Sequence, residues 1–335
     1  MSLTDMVIMP GADYQDACDA IREKTGGTEG IKSGQMGGLI RGISGGGGDN
    51  GGGSDEEWIG DGNTHIWIHL EEGRTSPMLG VCPNGTVVVD WGDGTTPDRL
   101  TGTSVTTVKW TPTHNYAAPG DYVITLTVGG EMGFYGSSSS NQYSGILRHS
   151  ASGDTRNYFY RNAVQKIEVG YGVTSTGDSA FRYCYSLASI AIPDGVTSIG
   201  LYAFQNCYSL ASIAIPDGVT SIGGGAFSVC YSLASVTIPD GVTSIGSGTF
   251  RECYSLASVT IPDGVTSIGS SAFQNCYGLG KLRFESATPP TLSNSSAFAG
   301  IPTDCIISVP VGSLAAYTAA TNSPPASTYT YIEED

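Results

Sequence analysis

Val219-Thr-Ser-Ile222-Gly-Gly-Gly-Ala226-Phe227-Ser-Val-Cys230-Tyr231-Ser-Leu233-Ala-Ser-Val236-Thr-Ile238-Pro239-Asp240-Gly241 is the clearest of five near-copies of a 23-residue unit. The register shows in Cys184, Cys207, Cys230, Cys253 and Cys276, each followed by Tyr and then, two residues later, by Leu. Val236 and Ile238 alternate with small polar residues, as in a short strand with one buried face, and Pro239-Asp240-Gly241 supplies a turn. Ala226, Phe227, Cys230 and Leu233 are spaced by three and four, which predicts a short helical or 3₁₀ segment facing the same core.

One such unit has too little apolar surface to order itself, so the units must stack and bury each other's faces. The predicted fold class is mainly β and multidomain, ending in a solenoid with a short strand plus a short helix or 3₁₀ segment per coil. The array spans 166–310, with atypical ends. Thr176 stands where later coils have Ile, and beyond Leu279 the period breaks over 281–310. Residues 311–335 are left as a C-terminal tail.

The motif Ile-Pro-x-Gly-Val-Thr-Ser-Ile-Gly-x-x-Ala-Phe-x-x-Cys-x-x-Leu resembles the 23-residue leucine-rich repeat family common on bacterial surface proteins and phage-encoded proteins. That resemblance implies a right-handed, curved solenoid used for binding, in some members for adhesion to host tissue, with no shared catalytic residues.

The 335 residues include 48 Gly but only 14% charged residues, which suits a turn-rich β protein with two or three cores. A net charge of -16 opposes nucleic acid and anionic membranes as partners. Five of the eight cysteines occupy one repeat position, where a column of buried free thiols acts as small hydrophobes; disulfides or a metal are the alternatives. No CxxC pair or Cys/His cluster points to zinc, so neither cofactor nor metal is expected. The N-terminal stretch has no basic region followed by an apolar run, so no signal peptide is read, and no stretch is apolar enough for a transmembrane span.

Residues 1–43 hold an amphipathic run around Tyr14–Arg22 and a second short segment, read as a helical attachment piece. It resembles N-terminal segments of phage tail and minor structural proteins. Residues 44–57 form a Gly-rich linker. From 58 to 130, alternating strands such as Thr64-His-Ile66-Trp67-Ile68 suggest a β-sandwich. Val89-Asp90-Trp91-Gly92-Asp93-Gly94-Thr95, followed by His114-Asn-Tyr116 and Pro119-Gly120-Asp-Tyr122, resembles the polycystic kidney disease (PKD) type of immunoglobulin-like domain, which implies a spacer or interaction module. Turn chemistry accounts for Asp90 and Asp93, with a calcium loop or paired catalytic carboxylates as alternatives. His114 is expected to pack or hydrogen-bond beside Tyr116. His65, His69 and His149 have no nucleophile signature near them. Residues 131–165, with Ser137 to Ser140 and Tyr158 to Tyr160, form a connector and N-terminal cap.

Comparing the coils shows which positions vary. The pairs flanking Ala-Phe change from coil to coil and are expected to be exposed, either as surface drift or as a recognition face: Arg182, Tyr183, Tyr202, Gln205, Asn206, Arg251, Glu252, Gln274 and Asn275 are the candidates. A second row, Tyr185, Tyr208, Tyr231, Tyr254 and Tyr277, either binds sugar rings or forms a half-buried ridge. The sequence therefore reads as a non-enzymatic binding protein, a phage or prophage tail-associated receptor-binding protein or a bacterial cell-surface adhesin. Its partners would be a bacterial surface glycan or protein, or a host-cell surface molecule. In a virion, residues 1–43 would contact other tail proteins.

Overall fold

The computed structural model describes residues 62–104, 108–134, 147–149, 162–321 and 328–334. The expected attachment segment, the Gly-rich linker and most of the connector lie outside these residues, and residues 60–335 form one compact unit.

Among the described residues, six strands precede the repeats: β1 (Thr64–Leu70), β2 (Pro77–Asp90), β3 (Asp98–Thr103), β4 (Lys109–Trp110), β5 (Gly120–Gly133) and β6 (Leu147–His149). The strict in-out alternation of β1 buries Ile66, Ile68 and Leu70 and turns His65, Trp67 and His69 outward. β2 is long enough to use its two halves differently. Residues 77–81 pair with β4 and β6, whereas residues 84–89 pair with β3 on one edge and β5 on the other.

These strands are hydrogen-bonded into the sheet of the repeats. β1 pairs with β7 (Val164–Glu168), and the end of β5 pairs in parallel with β8 (Val173–Ser175). From β8 a parallel ladder runs through β10 (Ser198–Ile199), β12 (Ser221–Ile222), β14 (Ser244–Ile245), β16 (Ser267–Ile268) and β18 (Thr291–Leu292). The second side of the solenoid begins with β7 and β9 (Ser189–Ala191). It continues as β11 (Ser212–Ile213), β13 (Ser235–Val236), β15 (Ser258–Ile261), β17 (Lys281–Phe284), β19 (Ile306–Pro310) and β20 (Thr330–Glu334). Each coil thus has two short strands, where the sequence reading gave it one.

The Ala-Phe segment is a turn in the five near-identical coils, which corrects the expected helix or 3₁₀ segment there, and a 3₁₀ helix only in the last coil, at Ser295–Phe298. Its local bonds do look 3₁₀-like: Gln205 N donates to Tyr202 O and Cys207 N to Phe204 O, each at 3.1 Å. The intervening amides leave for the next coil, however, with Tyr202 N on Gly224 O (3.1 Å), Phe204 N on Ala226 O (2.7 Å) and Asn206 N on Ser228 O (2.9 Å). A helix cannot release every second N–H. The spacing of three and four reflected which side chains enter the core. Among the described residues, helix is confined to a 3₁₀ turn at Ser295–Phe298 and the short α1 (Leu314–Ala319), and none is long and apolar enough to cross a membrane.

The core is a set of columns, one residue per coil. Phe181, Phe204, Phe227, Phe250, Phe273 and Phe298 stack at centroid separations of 5.1, 5.3, 5.5, 5.3 and 5.4 Å. Phe134, just beyond β5, lies 5.1 Å from Phe181, so the N-terminal strands supply the first layer of this stack. The cysteine column is equally regular. Each buried thiol donates to the Phe carbonyl of the preceding coil: Cys207 to Phe181 at 3.1 Å, Cys230 to Phe204 at 3.2 Å, Cys253 to Phe227 at 3.2 Å and Cys276 to Phe250 at 3.1 Å. Burial pushes the thiols of Cys230 and Cys276 up to about 12, which keeps them unreactive. Coil four departs from the pattern with Thr249 in place of Ala, and its buried hydroxyl donates to Gly246 O at 2.9 Å.

The parallel sheet runs beyond residue 310, where the sequence reading placed a tail. β20 pairs with β19 along its whole length, and Glu334 holds it there by accepting from Lys281 Nζ at 2.9 and 2.8 Å and from Ser308 Oγ at 2.6 Å. α1 closes the same end, with buried Tyr317 donating to Ser286 O at 2.8 Å.

Two outcomes follow for stability. Phe227→Ala removes a ring from the middle of the stack and should cost about 3–5 kcal/mol in urea denaturation, in keeping with large-to-small core substitutions. The hydrogen bonds from Lys281 and Ser308 hold the Glu334 carboxyl below its usual range. Its stabilisation is therefore present above the unfolded carboxylate pKa of about 4.3 and lost as pH falls through the lower folded value. Glu334→Gln should lower Tm at pH 7, and this difference should vanish in melts at about pH 2.

Candidate functional site

Two Gly residues and two turn aspartates shape the Trp91 turn. Gly92 and Gly94 have φ of 76° and 79°, a region open to Gly at little strain. Asp90 accepts from Gly92 N at 2.9 Å, and Asp93 accepts from Thr95 N at 3.1 Å and Thr95 Oγ1 at 2.6 Å. His114 stacks on buried Trp91 at 4.5 Å and bonds Asp93 through Nε2 at 2.8 Å, while Tyr116 donates to Trp91 O at 2.9 Å. Burial works to raise the Asp93 carboxyl, but the hydrogen bonds from Thr95 and His114 outweigh it and hold the group below its usual range. Both carboxylates therefore act as turn caps, and His114 packs against its neighbours as expected. Among the described residues, no three His, Cys, Asp or Glu side chains gather as a metal-binding group.

The varying pairs lie on the turn side of the solenoid, between the two parallel sheets. Their backbone is unusual. Ser179, Tyr202, Gly225, Gly248 and Ser271 before the Ala column, and Tyr183, Asn206, Val229, Glu252 and Asn275 before the Cys column, all have φ between 55° and 65°, with Gly225 and Gly248 at 64°. These are the residues whose amides bridge to the next coil: Tyr183 N reaches Gln205 O at 2.8 Å, Val229 N reaches Arg251 O at 2.7 Å and Glu252 N reaches Gln274 O at 2.8 Å. The left-handed conformation aims the amide along the solenoid axis, and the bonded ladder holds the strain in place.

Exposure along the row is uneven, which corrects the expectation that all these positions face solvent. Ser179 and Ser228 are buried. Tyr202 is exposed, Arg251 is exposed and paired with Glu252 at 2.7 Å, and Arg182, Tyr183, Gln205, Asn206, Glu252, Gln274 and Asn275 are half-buried. Neighbouring coils are also coupled in size. A Cβ on Gly225 would lie 2.6 Å from the Tyr202 ring and one on Gly224 would lie 3.7 Å from Leu201, so the bulky pair of coil two leans over the smallest pair of coil three. Leu201, 47% exposed, was missed as a candidate, although it is the one large aliphatic residue in its column.

The tyrosine row is a ridge of stacked rings. Tyr185, Tyr208, Tyr231, Tyr254 and Tyr277 follow one another at 4.5, 4.8, 4.7 and 5.2 Å, tilted by 3°, 12°, 11° and 25°. Their faces cover one another, so the ridge presents ring edges and hydroxyls. Desolvation, with Tyr185 and Tyr231 alongside, raises the Tyr208 phenol to about 12. The two rows meet where Tyr183 packs edge-on to Tyr185 at 6.1 Å. A cavity of about 10 Å³ near the C-terminal end, bordered by Phe284, Phe298, Tyr317 and Tyr331, has room for about one water. It is far below the size of a small-molecule pocket. The open turn face is the larger surface.

Short parallel strands stacked one coil on the next around columns of Leu, Ile, Phe and Cys define a β-solenoid. Residues 155–286 match the model of the BspA type leucine rich repeat region in six copies. Among solved structures, the chain is similar to a leucine rich cell surface protein from Faecalibacterium prausnitzii A2-165, with 23% identity over 49% of this chain and 64% of that one and a TM-score of 0.31. It is also similar to the Leucine Rich Repeat protein of T. pallidum (26% identity over 52% of this chain and 82% of that one, TM-score 0.37). A third is a leucine-rich repeat protein from Bacteroides ovatus ATCC 8483 (17% identity over 66% and 70%, TM-score 0.34). The chain thus spans just under two thirds of the Faecalibacterium protein. A comparison with curated proteins finds no match.

The strained backbone yields a direct test. Val229 is β-branched at φ 64°, where other coils have Asn206 and Asn275 at the same position. Val229→Asn should stabilise the protein by about 1 kcal/mol in thermal or urea melts, because Asn tolerates the left-handed region and Val does not.

Proposed function

We propose that this chain is a non-enzymatic recognition protein that engages its partner along the turn row and the adjoining tyrosine ridge. One observation carries the reading: the side chains that differ between coils project from a backbone fixed by coil-to-coil hydrogen bonds at Ser179, Tyr183, Tyr202, Asn206, Val229 and Glu252. A rigid frame with freely chosen side chains suits recognition, because binding then orders little that was mobile. The partner class is a bacterial surface glycan or protein, or a host-cell surface molecule.

The BspA-type repeats support an adhesin at a bacterial surface. The finer alternative is a phage or prophage tail-associated receptor-binding protein, in which residues 1–43 attach to other tail proteins and the PKD-like 58–130 segment spaces the solenoid from them. The resemblance of the N-terminal segment supports that alternative.

Fractionation of a culture producing the protein into washed envelopes and sedimentable particles, followed by mass spectrometry, separates the two locations. In either location, the combined variant Tyr202→Ala, Asn206→Ala, Gln274→Ala should retain its fold by circular dichroism and lose at least about tenfold in binding to partner cells, as expected when several anchors of one interface are truncated. Unchanged cell binding by that variant would remove the turn row as the recognition face.

A further inference from the structure

Resting on the turn-row reading, we propose that Arg182 is the anchor for an acidic sugar, its guanidinium taking the carboxylate of a uronic-acid-type residue in the partner glycan. The solenoid strands and coils carry few cations, and each of the others has a carboxylate: Lys166 has Glu168, Arg251 has Glu252, and Lys281 and Arg283 share Glu334. Arg182 has no carboxylate partner among the described residues. Instead, its guanidinium carbon lies 4.8 Å from the centroid of the Tyr183 ring and 5.2 Å from that of Tyr202.

Two rings hold this cation in one orientation before any ligand arrives. Tyr202 is itself seated over Gly225, and Tyr183 is fixed by its left-handed backbone and its contact with Tyr185. Preorganising a planar donor fork saves side-chain entropy on binding and favours a planar anion over a spherical one. Polar atoms that lack partners cluster at the same place. Ser179 Oγ, Arg182 Nε and Gln205 Oε1 are buried without a hydrogen bond, and all three belong to the turn segments of the first two coils. With Nε buried and the rings covering the plane, the fork of Nη1 and Nη2 is the part left for an anion.

The surroundings favour a sugar over an acidic peptide. One coil on from Arg182, where Tyr183 N bonds Gln205 O at 2.8 Å, stand the half-buried amide side chains of Gln205 and Asn206, and Tyr183 joins the segment to the hydroxyl edge of the tyrosine ridge; hydroxyls and amides exchange hydrogen bonds with a polyhydroxylated chain. The carboxylate is the discriminating element: a neutral glycan would leave Arg182 unmatched, and a net charge of -16 repels polyanions in general, so binding depends on this one local contact.

The experiment is calorimetric titration of the full chain with oligogalacturonate and oligoglucuronate, their methyl esters, and poly-glutamate. The expected result is binding of at least one free-acid oligosaccharide, at least tenfold weaker binding of its ester, and a similar loss in Arg182→Gln. Arg182→Lys keeps the charge without the fork and should recover only part of the loss. Lys109→Gln removes one exposed cation elsewhere and should change nothing, and thermal melts confirm that each variant is folded. Equal binding of acid and ester, or binding indifferent to Arg182→Gln, would overturn the assignment. So would Arg182-dependent binding of poly-glutamate without any uronate. If Arg182→Gln leaves cell binding intact while the triple turn-row variant abolishes it, the acidic-sugar assignment alone fails. If neither changes cell binding, the turn row itself is not the recognition face.

Discussion

The coil-to-coil hydrogen bond is the constraint on which the rest of this structure depends. A 23-residue unit leaves most of its amides and carbonyls without partners inside itself, and in water it would not stay folded. Stacking satisfies them on all sides at once. Two parallel ladders carry the strand amides, and alternate amides of the turn segment run along the same axis, as with Phe204 N on Ala226 O at 2.7 Å. The thiol column extends the scheme into the core, because each Cys Sγ–H also points to a neighbouring coil's carbonyl. A side chain at that position must be small, apolar enough for full burial and able to donate weakly. Cys meets all three requirements.

That constraint has two ends, and each end is handled differently. At the N-terminal end the preceding strands join the sheet through β5 and β8 and extend the aromatic stack with Phe134, so the first coil meets a prepared surface. At the C-terminal end the period loosens, with Ser267 pairing to Thr291 and Lys281 to Ile306, and the chain returns as β20. Glu334 fastens that last strand to Lys281 and Ser308, while Glu333 accepts from Gly312 N and Leu314 N at the start of α1. Acidic groups on the final strand also leave its open edge unattractive to another strand.

Much of this was legible in the sequence because repetition makes packing visible. The columns of Phe, Cys, Leu and Ile could be read directly, as could the turn role of Asp90 and Asp93 beside Gly92 and Gly94. The helix-like spacing of Ala226, Phe227, Cys230 and Leu233 misled because three- and four-residue spacing reports which side chains point inward, and a compact turn with left-handed residues four apart points them inward too. From β10 onward the second strand of each coil is only two residues long, too short for a period-two pattern to register. The clasp at β20 was hidden for another reason: Glu334 lies 53 residues from Lys281, a pairing set by the return of the chain and by no local pattern.

The candidate surface was legible in position but not in character. Differences between coils located the row, since variation is permitted where a side chain does not fill a core column. They could not show that variation in one coil constrains the next. Tyr202 occupies the space that Gly225 leaves, and Arg182 lies against Tyr202, so three successive coils form one diagonal stack. The side chains of the row are therefore not independent letters. A change at Gly225 would displace Tyr202 and with it one wall of the Arg182 clamp, while the backbone beneath stayed where the ladder holds it. A surface built this way can be respecified a few residues at a time without disturbing the fold, provided that neighbouring coils change together.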